Sequence, residues 1–185
     1  LSFTYDATNP VILTKVTAIN NAVEYCSPTA NGCTLTNTWP SLTFSVAPDG
    51  LTQIVTDALA RQTKYTIVSG RIVHVFWPAN DTGTPTRSFL YYGSGTYANR
   101  VQYVTNGSAL WTYAYSAVGT TLTTTITDPI GQHTTYVSNT STNRLTSVTD
   151  HLNHTTSYLW DSFGRQTRAT LPEGNYTELD RKSVV

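Results

Sequence analysis

DPIGQHTTY, Asp128 to Tyr136, lies over DHLNHTTSY, Asp150 to Tyr158, at a constant offset of 22 residues. Asp128 falls on Asp150, Ile130 on Leu152, Gly131 on Asn153, Thr134 on Thr156 and Tyr136 on Tyr158. LPEGNYTEL places Pro172 and Gly174 in the same frame 21 residues further on, and DALARQTKY supplies Asp57, Leu59, Thr63 and Tyr65 upstream. The linking segments agree as well: Arg144 in NRLTSVTD matches Arg165 in GRQTRATLP, and Arg71 and Pro78 of GRIVHVFWP fit the frame. Self-similarity at such a period marks an array of supersecondary units that bury surface against their neighbours, and it governs how every local motif is read.

Each period holds two short strands and two turns. Thr155 to Trp160 reads as a strand, Asp161 to Gly164 as a turn, Arg165 to Leu171 as the next strand and Pro172 to Gly174 as the next turn. About one residue in five is threonine, and Tyr, Val, Ile and Trp are plentiful, which suits pleated strands with branched and aromatic side chains. The expected fold is all-β: an antiparallel β-hairpin meander forming a curved strip or wall. Alternation along the strands is partial. Leu145 and Val148 are expected on opposite faces, so both faces read as somewhat apolar. LTQIVTDALAR has a competing helical spacing at Leu51, Ile54, Val55, Ala58 and Leu59, but the repeat frame puts Asp57 to Ala60 at a turn. The chain reads as one β-repeat domain over 1–185, with a divergent part at 1–47, repeats at 48–80 and 120–185, and a weaker stretch at 81–119.

Lys plus Arg equal Asp plus Glu at 11 each, and charged residues make up only 12%, about half the usual share in globular proteins. Neither a nucleic acid nor an acidic membrane surface is therefore an expected partner. No apolar run approaches the roughly 18 residues needed for a spanning helix. The chain opens on LSFTYD without a signal-like segment and reads as a mature or cut piece. In YCSPTANGCTLT, Pro28 and Asn31-Gly32 favour a reversal, which makes a Cys26–Cys33 disulfide easy to close and an exported location the expectation. Two free thiols or half of a metal site are the alternatives, and a lone C-x6-C pair is a poor start for zinc.

DPIGQHTTY, NRLTSVTD, YLWDSFGRQTRATLPEGNYTE and the early FTYD together resemble RHS or YD repeats, whose pattern is a Gly-Arg pair, a Pro-x-Gly turn and a closing Tyr-Asp. The resemblance is clear from about Thr120 to Leu179 and fainter over Leu42 to Pro78. It departs from the pattern at Trp160-Asp161, at Ser138-Asn139 and at Arg181-Lys182, where Tyr-Asp is expected. The family resemblance implies strips of β-hairpins that wind into hollow shells, which in bacteria commonly enclose a toxin and in some cases are displayed at cell surfaces.

His151 and His154 invite a metal reading, yet they occupy positions held by Pro129 or Pro172 and by Gln132 or Asn175 in other copies, so they read as turn residues. His74 and His133 have no carboxylate or thiol close in sequence. Asp57, Asp128, Asp150 and Asp161 would have to occupy two unlike environments to act as a glycosidase pair, whereas three of them recur at one repeat position. They read as turn caps, and Arg71, Arg144 and Arg165 as strand starters. Gly131, Gly164, Pro172 and Gly174 serve the turns, and Tyr65, Tyr136 and Tyr158 pack the strip. Tyr91, Tyr92, Tyr97, Trp111, Tyr113 and Tyr115 could make a sugar-stacking platform, but packing is the commoner use of such rings. Asn80, Asn106, Asn139, Asn153 and Asn175 begin N-x-S/T triplets, a weak glycosylation signal in so threonine-rich a chain.

The sequence therefore predicts a non-enzymatic, cofactor-free segment of a secreted or cell-surface RHS-type shell. A self-assembling fibre and a carbohydrate-binding module are the alternatives. Both ends of the meander are expected to present open strand edges, paired in the assembled state with further copies of the chain or with the rest of a longer parent, around an enclosed toxin cargo.

Overall fold

The computed structural model describes residues 1–80 and 83–179, and Arg181-Lys182 lies outside them. The chain divides into two compact units, Leu1–Phe89 and Leu90–Val185. The described residues are all-β, apart from a single 3-10 turn at Pro78–Asn80.

The first unit is an antiparallel meander of β1 (Ser2–Tyr5), β2 (Leu13–Thr17), β3 (Ser41–Val46), β4 (Thr52–Thr56), β5 (Gln62–Val68), β6 (Arg71–Phe76) and the start of β7 (Arg87–Tyr91). Each strand pairs with its sequence neighbour. The helical spacing at Leu51–Leu59 yields to a strand, β4, followed by the Asp57–Ala60 turn.

The second unit continues the pattern with β8 (Val101–Asn106), β9 (Ala109–Val118), β10 (Thr121–Thr127), β11 (His133–Asn139), β12 (Arg144–Thr149), β13 (Thr155–Trp160), β14 (Gln166–Thr170) and β15 (Tyr176–Glu178). Its two faces differ. Residues directly opposite on paired strands share a face. Tyr115, Thr124, Tyr136, Val148 and Thr156 thus form one row, flanked by Tyr113 opposite Ile126 and by the buried Leu122. The reverse face carries Thr125, Thr135, Thr149 and Thr155 in a row, the last two joined through their hydroxyls at 2.8 Å.

A β-bulge corrects the expected placement of Leu145. Val137 pairs with Ser147 but Ser138 pairs with Leu145, which leaves Thr146 as an extra residue. One extra residue reverses the parity of what precedes it, so Leu145 and Val148 share the aromatic face. The same shift leaves Val73 extra on β6 and Thr167 extra on β14. Each lies two residues after an arginine of the repeat, Arg71, Arg144 or Arg165, a spacing that the sequence displays.

A single layer has little interior. Among the described residues only Cys26, Val75 and Leu122 are buried apolar side chains. The chain exposes 12466 Å². Two separate compact bodies sharing its 20.3 kDa would expose only about 10,600 Å². Stability rests on ladders, turns and half-buried rings rather than on a sealed core.

The expectation of an open edge at both ends needs correction at β1. Between β2 and β3 the chain makes a long excursion closed at its base by the Ala18 N–H donating to Pro40 O at 2.9 Å. Within it Cys26 and Cys33 form a disulfide, and Asn31 and Gly32 bond back onto the outer side of β1. The Glu24 carboxylate braces the excursion, accepting from the backbone N–H and hydroxyl of Thr36, from Asn37 and, at 2.8 Å, from the Trp39 indole. Led by that indole bond, these donors hold the Glu24 pKa down to about 2. A carboxyl depressed on folding contributes its stability above its unfolded pKa of 4.5 and loses it as pH falls through the folded value. The Trp39 indole proton resonance should therefore hold steady on acidification and move with a midpoint near pH 2. A midpoint near the ordinary glutamate value would refute the brace.

Candidate functional site

A five-residue turn recurs along the described chain. In Asp57–Arg61, Asp128–Gln132, Asp150–His154 and Asp161–Arg165 the first N–H donates to the fifth carbonyl, and the fourth N–H donates to the first carbonyl. The fourth residue takes positive φ: Ala60 at 60°, Gly131 at 86°, Asn153 at 64° and Gly164 at 85°. Leu171–Asn175 repeats the backbone pattern with Gly174 at 86° and Pro172 within it, lacking only the carboxylate.

In the other four, aspartate Oδ1 accepts from the third and fifth N–H groups at 2.8 to 3.0 Å. The second oxygen of Asp57 takes Arg61 Nε, and that of Asp161 takes Arg165 Nε, each at 2.7 Å. Asp150 Oδ2 stands 3.3 Å from His154 Nδ1. These bonds lower the pKa values of Asp57, through the Arg61 side chain first, and of Asp150 and Asp161, through the backbone N–H of His154 and Arg165 first. All three move in one direction, whereas acid–base hydrolysis needs one carboxyl raised and its partner low.

Asn139 takes the aspartate's part between β11 and β12, its Oδ1 accepting from Ser141 and Thr142. Ala60 is the turn residue least suited to positive φ, a region that costs a residue with a Cβ roughly 1–2 kcal/mol. Ala60→Gly should stabilise the chain by about 0.5–1 kcal/mol after glycine's greater unfolded freedom is discounted. A urea midpoint that stays put or falls would contradict this.

The Arg144 and Gly164 positions meet in space. β12 and β13 share only three ladder pairs, Ser147–Ser157, Val148–Thr156 and Thr149–Thr155. Beyond the Thr146 bulge, side chains bridge the gap. Arg144 Nη1 donates to Asp161 O at 2.9 Å, and Trp160 Nε1 donates to Leu145 O at 2.6 Å. The Arg144 guanidinium lies where a Cβ on Gly164 would project.

Tyr65, Tyr136 and Tyr158 are half-buried on β5, β11 and β13. Tyr65 stands opposite Val75, Tyr136 opposite Val148 and Tyr158 opposite Ala169.

The tyrosine group before β8 and on β9 packs on itself. Tyr115 meets Tyr92 edge-on at 5.9 Å and Tyr97 at 5.6 Å, with Arg100 above its ring at 5.3 Å. The Tyr92 and Tyr115 hydroxyls donate to the carbonyls of Tyr113 and Val101, and burial raises the Tyr115 pKa.

His133 bonds Thr127 and His74 bonds Ser88, while His151 is exposed in its turn. Among the described residues no three His, Cys, Asp or Glu side chains gather as a metal would require. Asn106 closes the β8–β9 hairpin opposite Ala109, Asn153 and Asn175 are exposed in turns, and the Asn80 side chain lies outside what is described.

The bulge–arginine–glycine contact falls inside residues 140–176, which match the RHS Repeat family model. Residues 140–176 are similar to an RHS repeat. The RHS match covers β12, β13, β14 and the turns between them, together with Arg144, Trp160, Asp161 and Gly164. No curated protein matches the chain. What the match supports is a structural role of the RHS kind.

Proposed function

We propose that the chain is a non-catalytic wall segment of an exported RHS-type shell that encloses or displays a cargo, with a toxin as the cargo class. The observation that carries this reading is the single-layer meander of the second unit, whose aromatic and threonine faces suit a wall that separates two surroundings. The disulfide supports an oxidising, extracellular or cell-surface setting. The self-packed tyrosines, two of them with hydroxyls committed to backbone carbonyls, favour packing over a sugar platform.

Electron microscopy of the intact parent particle tests the proposal. Closed hollow particles with this segment in the wall are the expected result. Filaments built from the chain would replace the shell by the fibre, and dispersed solid globules would overturn both.

A further inference from the structure

β1 is hydrogen-bonded along both sides. Toward β2, the Thr4 carbonyl accepts from the Thr14 hydroxyl at 3.1 Å, and the Asp6 N–H donates to Ile12 O at 2.8 Å. Away from β2, the Phe3 carbonyl accepts the Gly32 N–H at 2.9 Å. Tyr5 engages the Asn31 side-chain amide in both directions, its N–H donating to Oδ1 at 2.5 Å and its carbonyl accepting from Nδ2 at 3.3 Å. Alternate residues of a strand address opposite edges, so Phe3 and Tyr5 carry the groups that an added strand would need. Asn31 and Gly32 already use them.

The fit is close. Gly32 has a φ of 73°, and a Cβ there would run into the Thr4 hydroxyl. The loop that delivers these residues is closed by the Cys26–Cys33 disulfide, and Cys26 is anchored to β1. A disulfide sulfur has no proton to give, so the Ser2 hydroxyl donates to Cys26 Sγ, at 3.2 Å, with both residues 6% exposed.

We propose that the disulfide-closed loop is a stop on strand addition: it occupies the outer edge of β1 against any strand ahead of Leu1 in a longer chain, and opening it makes β1 an edge that pairs with β1 of a second copy. Ser2–Tyr5 carries no charge that would repel its own copy. Antiparallel pairing of β1 with itself is isologous and closes at a dimer. Opening is a two-electron step. A dithiol reductant transfers two electrons and two protons, becomes a disulfide itself, and leaves Cys26 and Cys33 as thiols.

The test uses the full chain, oxidised and after treatment with dithiothreitol, beside a Cys26→Ser/Cys33→Ser variant, with amide exchange and sedimentation as readouts. Opening should speed exchange of the Tyr5 amide at least about tenfold in dilute solution, leave β10 to β12 protected, and double the sedimenting mass as concentration rises. Asn31→Ala, with the disulfide intact, should speed Tyr5 exchange by a smaller factor. Phe3→Pro in the reduced protein should abolish the dimer by removing an edge N–H. Unchanged Tyr5 protection after reduction would overturn the stop, and a dimer that survives Phe3→Pro would overturn the pairing site.

Discussion

Gly164→Ala is expected to cost about 2–3 kcal/mol, read as a lower denaturant midpoint with an unchanged slope. Two causes add. At a φ of 85° the new side chain meets backbone strain of roughly 1–2 kcal/mol. Its Cβ also displaces the Arg144 guanidinium, and the bond to Asp161 O goes with it, worth about 1 kcal/mol. Gly131→Ala isolates the first cause, because a Cβ at Gly131 has nothing within 4 Å although its φ is nearly the same. It should cost about half as much. Arg144→Ala combined with Gly164→Ala should cost less than the two single changes summed, since one contact is lost in both. Strict additivity would mean that the arginine and the turn are independent.

Trp160→Ala is expected to cost a similar amount, about 2–3 kcal/mol, at the low end for a large ring because this one is only half-buried. The indole fills the opening beyond the Thr146 bulge and donates to Leu145 O, so its loss removes packing and leaves that carbonyl without its donor. Trp160→Phe should retain most of the packing and forfeit only the hydrogen bond, about 1 kcal/mol. Equal losses in the two variants would place the whole effect in the bond.

Much of this architecture is legible in the residues. Thr155–Trp160 reads as a strand from its branched and aromatic run and is one. The turns announce themselves by an aspartate followed, three residues on, by Gly or Asn, because only certain residues tolerate positive φ there. Ala60 is the exception, and only the repeat frame reveals its turn against a helical spacing. The bulges are harder to read. Val73, Thr146 and Thr167 share no side-chain chemistry that demands an extra residue, and a bulge belongs to a pair of strands rather than to one sequence. A regular β12 without the bulge would carry Leu145 on the face opposite Val148. The closed edge of β1 was hidden for a different reason. Asn31 reaches Tyr5 across 26 residues of irregular chain, and no periodicity runs through such a segment. The Glu24 brace is equally illegible in the sequence, since its donors lie 12 to 15 residues away.

Because every strand in each unit bonds to the one made just before it, a hairpin outside the excursion between β2 and β3 does not wait for distant chain. Such low contact order leaves few of the long loop closures that slow most β proteins. Structure can then be laid down in the order in which residues emerge, from a ribosome or from the far side of an export channel. Pulled from one end, the same ladder should come apart hairpin by hairpin, in steps set by the 20-to-22-residue period, rather than in one cooperative rupture.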